Sequence, residues 1–136
     1  MKVQLALLAQ GASIDRFSNR LSVFNLVESF ESPSFPLFVP EAVFVSVLRK
    51  EEGDPIVSDA TLSVYAGESM IGQATVRVDF EGASHARQVM NFQGLPLLKP
   101  VNLQFRFVVP DRLTYVLEIP VTLGKPMQPE VPKVPA

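Results

Sequence analysis

In the last third of the chain, apolar residues return at every second place. Residues 101–109 read VNLQFRFVV, with Leu103, Phe105 and Phe107 in one phase, and residues 113–121 read LTYVLEIPV, with Leu113, Tyr115, Leu117 and Ile119 in one phase. Successive side chains of a strand point to opposite faces, so this period lays one greasy row against a core and leaves Gln104, Arg106 and Glu118 to water. A helix would scatter the same residues around its circumference. Pro110 and Asp111 stand between the two runs as a turn.

The same period recurs upstream. Val3, Leu5 and Leu7 alternate with Gln4 and Ala6, which predicts a first strand rather than a cleaved leader, because Gln4 interrupts the apolar run and only Lys2 supplies positive charge. Residues 42–49, AVFVSVLR, are apolar in both phases, as a strand covered on both faces should be. Residues 57–65 place Leu62 and Val64 together, the turn at Ala66, Gly67 and Glu68 reverses the chain, and residues 72–80 carry Val76, Val78 and Phe80 inward with Thr75, Arg77 and Asp79 outward. Residues 87–93 turn Met90 and Phe92 inward. Between these runs, KEEGDP reads as a solvated loop, and ESPSFPLFVPE, with Pro33, Pro36 and Pro40, reads as a crossing connection because proline cannot donate to a central ladder.

Residues 11–30, GASIDRFSNRLSVFNLVESF, allow two readings. Ile14, Phe17, Leu21 and Phe24 fall at helical spacing with Ser13 as a cap. Against that stand poor helix formers, Ser18, Asn19, Ser22, Val23, Asn25 and Val27, and Glu28 where the apolar stripe should continue. The better reading is a polar turn over residues 15–20 followed by one strand over residues 21–30. The expectation is therefore an all-β chain: an antiparallel two-sheet sandwich of immunoglobulin-like topology, with about eight strands over residues 1–123 and a purely apolar interior.

Composition bounds the rest. A chain of 136 residues forms one domain and needs no staple, and the absence of cysteine removes disulfides, thiolate metal sites and a cysteine nucleophile, which suits a cytoplasmic setting. A net charge of −2 speaks against nucleic acid and anionic membrane as partners, and no apolar run is long enough to span a bilayer. Charged residues are 19% against a typical ~25%, so the surface is short of charge and self-association is expected.

The chemistry-bearing residues are sparse. His85 is the only histidine, placed here in an exposed loop; Ser84 or Ser69 with Asp79 or Asp111 would be needed for acyl transfer, and no serine elbow accompanies them. Glu51, Glu52, Asp54 and Asp59 crowd one hairpin without the spacing of a calcium loop. Arg77 and Arg106 point outward beside Asp79, Gln104 and Glu118, a pattern of the wet side of a sheet with cross-strand charge pairs. No cofactor, metal or catalytic residue is expected. The end of the chain differs in kind: Pro126, Pro129, Pro132 and Pro135 recur every third residue, the period of a polyproline II rod, which makes residues 124–136 a tail and those four prolines the candidate partner-binding residues.

The run LALLAQGASIDRFSNRLSVFNLVESF, with Ala12, Asp15, Asn19, Arg20, Leu21, Ser22 and Asn25, then Pro36 and AVFVSVLR, is similar to a family of small uncharacterised bacterial proteins of unknown function. The similarity is carried by residues 3–50; it implies a compact β-sandwich and a bacterial or phage source, brings no catalytic residues, and does not include the proline tail. Taken together, the sequence leads to a non-enzymatic binding or assembly module whose partner is a protein or a second copy, with a sugar- or metal-binding sandwich as the alternative.

Overall fold

The computed structural model describes residues 1–124, and alternation becomes strands throughout. Nine strands are formed: β1 (Lys2–Ile14), β2 (Leu21–Val27), β3 (Phe30–Ser32), β4 (Leu37–Arg49), β5 (Val57–Ala66), β6 (Ser69–Asp79), β7 (His85–Leu97), β8 (Val101–Val109) and β9 (Leu113–Leu123). They make a four-stranded sheet in the order β2-β1-β4-β7 and a five-stranded sheet in the order β3-β9-β8-β5-β6, the latter curled into a half-barrel. The fold is all-β with two sheets.

The two inner faces meet over aromatic rings. Phe44 of β4 stacks on Phe105 at 6.0 Å and on Phe107 at 6.3 Å, and Phe92 meets Phe105 edge-on at 5.9 Å. Leu8 and Leu48 from the first sheet and Leu62, Val64, Val78, Leu103 and Ile119 from the second complete the core. Rings in such pairs add about 0.5–1.5 kcal/mol each beyond the burial of their area. The interior is not purely apolar, however. Ser46 and Gln88 are both buried, paired across β4 and β7, and the Ser46 hydroxyl donates to Gln88 Oε1 at 2.8 Å. Period two had already put Gln88 in phase with Met90 and Phe92, so this polar pair is a consequence of the same alternation that builds the core.

The expected single strand over residues 21–30 is cut in two. Val27 and Phe30 both pack against the core. Three residues apart, they cannot share one face of a strand, so the chain breaks at the exposed Glu28 and Ser29 and crosses to the other sheet. There β3 runs parallel to β9, pairing Phe30 with Val121 and Ser32 with Leu123, so the second sheet is not wholly antiparallel and a ninth strand appears.

Pro40, expected in a connection, lies inside β4. The ladder between β1 and β4 stops at the pair Ala9 with Val43, and the part of β4 before it pairs only with β7. On that free side a missing N–H costs no ladder bond. At the same level both strands change phase: Val39 and Leu95 face the core on one side of the step, Ala42 and Phe92 on the other. Gly94 takes up the step with a φ of +84°, and a Cβ there would lie 3.0 Å from the Phe38 ring, so the position needs glycine on both counts.

β4 is covered on its other face too. Val43 and Val45 alternate with Phe44 and point away from the second sheet, yet they are 4% and 0% exposed. The cover is the β1–β2 hairpin folded back on its own sheet. Gly11 and Ala12 share one hollow with Asn91 and Gln93 of β7, and Leu21 and Val23 share another with Leu5, Val47 and Arg87. Leu21 pairs with Ile14, and a straight β1 would carry Ile14 about 30 Å from Leu5, so β1 must bend sharply once it leaves β4.

Candidate functional site

The most distinctive local structure is the turn that closes this hairpin. Asp15 builds it: the backbone N–H of Asp15 donates to the Arg20 carbonyl at 2.9 Å, and the Asp15 carbonyl accepts from Asn19 N–H at 2.9 Å. Its side-chain Oδ1 accepts from Phe17 N–H at 2.7 Å and Ser18 N–H at 2.9 Å. Those two amides hold the Asp15 carboxyl below its ordinary range, the Ser18 bond most strongly. Asn19 adopts a φ of +56°, a left-handed conformation that asparagine tolerates better than most residues. From across the sheet, Arg87 Nη2 donates to the Asn19 carbonyl at 2.9 Å and ties the turn to β7.

What this framework presents is a phenyl ring. Phe17 is 98% exposed, between Arg16 and Arg20 in the sequence of the turn. Scattered exposed apolar residues are ordinary on any surface. Here the backbone beneath the ring is fixed by five hydrogen bonds involving Asp15, Asn19 and Arg87, so the point from which the ring projects is set and the backbone needs little further ordering on binding. Below it, Ile14, Phe24 and Leu26 are also exposed, Phe24 lying beside Gly11. β2 is the outer strand of its sheet, so its far edge offers unpaired backbone groups beside these side chains. Asn25, at a φ of +54° with its amide donating to Gln10 Oε1 at 2.8 Å, shapes that edge.

The residues singled out by their chemistry fall elsewhere. His85 opens β7 rather than lying in a loop, and it is exposed as expected; Ser84 Oγ lies 2.8 Å from its Nδ1. The carboxylates considered for that pair have other roles: Asp79 Oδ1 accepts from Glu81 N–H at 2.9 Å, and Asp111 turns the β8–β9 hairpin at a φ of +60°. Ser69 begins β6.

The acidic hairpin holds a surprise for its solvated reading. Asp54 is buried, with Oδ2 2.5 Å from the α-amino group of Met1 and Oδ1 3.3 Å from Arg112 Nη1. Glu51 Oε1 is a second partner of the amino group at 3.1 Å. The amino group lowers the Asp54 carboxyl, and Asp54 in turn raises the amino group, its largest influence. Sequence reasoning missed this centre because Met1, Asp54 and Arg112 come from three distant points of the chain. Among the described residues no cluster of three or more histidine, cysteine or acidic side chains is placed to hold a metal ion.

On the outer face of the second sheet the polar row is present but the expected charge pairs are not, since among the described residues no ion pair joins its strands. The Arg106 guanidinium lies 3.9 Å above the Tyr65 ring and donates to Gln104 Oε1 at 3.0 and 2.7 Å, and Gln104 donates to Glu118 at 3.2 Å. Arg77 stands opposite Asp59 in register. Pro126, Pro129, Pro132 and Pro135 lie outside the described residues.

Residues 4–122 match a family of unknown function, DUF6941. The chain belongs to that family. The match runs from the first strand to the last and takes in the folded-back hairpin as well as the core, well beyond the residues 3–50 on which the sequence similarity rested. No curated protein matches this DUF6941 member.

Proposed function

We propose that this DUF6941 chain is a non-enzymatic binding or assembly module that docks a protein partner through the tip and outer edge of its β1–β2 hairpin. The observation that carries the reading is Phe17, fully exposed on a turn whose backbone is fixed from three directions. A large aromatic anchor on a rigid support, flanked by arginine, has the composition of interface hot spots. The immunoglobulin-like description of the two sheets, supported by two packed layers, and a cytoplasmic setting, supported by a chain free of cysteine, belong to the same proposal; a place in a bacterial or phage assembly rests on the sequence similarity alone. The four tail prolines are proposed as an auxiliary docking element.

Affinity capture with immobilised wild-type chain, the Phe17→Ser variant and a chain ending at Gly124 tests this, with captured proteins identified by mass spectrometry and this chain counted among them. The reading expects a partner retained by wild type and lost with Phe17→Ser. Identical partner sets for those two would overturn it, and identical sets for wild type and the shortened chain would remove the role given to the prolines.

A second reading has one observation in its favour. Where β1 leaves β4, a hollow of about 320 Å³ carries Glu41, Asn91 and Gln93 around Gly11 and Ala12, a polar setting for a small hydrogen-bonding ligand such as a sugar. A thermal-shift screen of sugars in which Glu41→Ala abolishes every stabilisation would favour it.

A further inference from the structure

We propose that the partner of the hairpin is a second copy of this chain, and that Phe17 of one copy enters an apolar hollow at the far end of the next, giving head-to-tail association. This rests on the binding-module reading and names its partner. The hollow, about 200 Å³, lies between the β5–β6 turn and the β7–β8 connection, with Ala66, Ile71, Pro96, Leu98 and Val101 in its wall. A cavity of roughly 150 Å³ holds a benzene molecule, so a phenyl ring fits. Leu98 is 77% exposed, and nothing among the described residues covers it.

Register places ring and hollow at opposite ends. The turn carrying Phe17 is tied to Arg87, next to the end of the sheet where Arg49 pairs with His85. The hollow lies where Leu37 pairs with Leu97, ten residues along β7, or about 33 Å. A chain cannot reach its own hollow over that span. Ring and hollow are different surfaces, so a contact made once between two copies leaves a free ring and a free hollow and propagates into a ring or a filament; only an antiparallel pair that made the contact twice would close at two copies. Charge sets the approach: Arg16 and Arg20 flank Phe17, while Glu68 sits in the turn between Ala66 and Ser69 and Lys99 lines another part of the mouth. The favourable docking turns the arginines toward Glu68 and away from Lys99.

Sedimentation analysis of the full chain over a wide concentration range tests the assignment, using Phe17→Ser and Leu98→Asp, both at exposed positions, with circular dichroism melts to show that each variant is folded. The expectation is mass that grows with concentration for wild type, and association weakened about tenfold or more by either substitution. An equimolar mixture of the two variants keeps one intact ring and one intact hollow, so it forms dimers of one copy of each and stops there. A wild-type chain that stays monomeric, a Phe17→Ser chain that associates like wild type, or a mixture that remains monomeric would each overturn the proposal. Should wild type be monomeric while still retaining another identified protein in a Phe17-dependent way, the binding-module reading survives and the second copy as partner does not.

Discussion

Phe105 and Phe17 are the same side chain in two regions held together by different forces. Around Phe105 the structure is made by apolar packing: Phe44 and Phe92 lie on the ring, and buried leucines and valines of both sheets close the layer around it. Around Phe17 the structure is made by the backbone and by Asp15, Asn19 and Arg87, and the ring touches almost nothing. A residue that the local fold does not need, held where water covers it, costs the exposure of its apolar area with no return in stability. The difference teaches that the hairpin tip is built for display while the inter-sheet layer is built for cohesion.

That contrast can be broken by paired measurements of thermal stability. Phe105→Ala removes a fully buried ring at the centre of the aromatic stack and should destabilise by about 3–5 kcal/mol, with a large fall in Tm. Asp54→Asn attacks a second kind of cohesion, the ion pairs that join Asp54 to the first residue and to Arg112, and should cost about 1–3 kcal/mol near pH 6. Its pH dependence follows from both partners. The Asp54 carboxyl is lowered from 3.8, so its contribution is present above that value and is lost as pH falls through the lower folded value; the amino group is raised from 8.0, so its contribution is present below 8.0 and is lost as pH rises through the higher folded value. The gap in Tm between wild type and Asp54→Asn should therefore be widest between those two values and narrow at either side. A gap independent of pH would remove the ion pair as its cause.

Gly94→Ala probes the phase step between the two halves of the first sheet. The left-handed backbone and the Phe38 ring 3.0 Å from the new methyl predict a loss of about 1–2 kcal/mol in denaturant melts. Phe17→Ala is the smallest effect, within about 0.5 kcal/mol, because an exposed side chain leaves no cavity. A Phe17→Ala chain that melts as early as Phe105→Ala would erase the distinction between display and cohesion altogether.

Much of the cohesive layer was legible in residue order. The phase of Leu103, Phe105 and Phe107, of Val76, Val78 and Phe80, and of Met90 and Phe92 matches the faces they occupy. Doubly apolar AVFVSVLR matches a strand buried on both sides. The turn at residues 15–20 was legible as well, since aspartate and asparagine there carry their own backbone-directed chemistry. Residues 21–30 misled because alternation says nothing about which sheet a strand joins, and only the three-residue step from Val27 to Phe30 hinted at a crossing. The display site was half visible: Phe17 was placed in a polar turn in preference to a helical stripe, but its exposure depends on where the hairpin folds.

Residue order by itself determined the period-two faces, the turns that punctuate them and an all-β chain with a core of phenylalanine, leucine and valine, because those properties arise between neighbours one or two places apart. Tertiary structure alone decided the bend that folds the β1–β2 hairpin back over Val45, the passage of β3 into the other sheet, the burial of Asp54 against Met1 and Arg112, and the separation of Phe17 from the hollow at Leu98. Each of these joins segments tens of residues apart. Their energies are set by shape, burial and distance in the closed packing of two sheets, quantities that do not exist until the chain has folded.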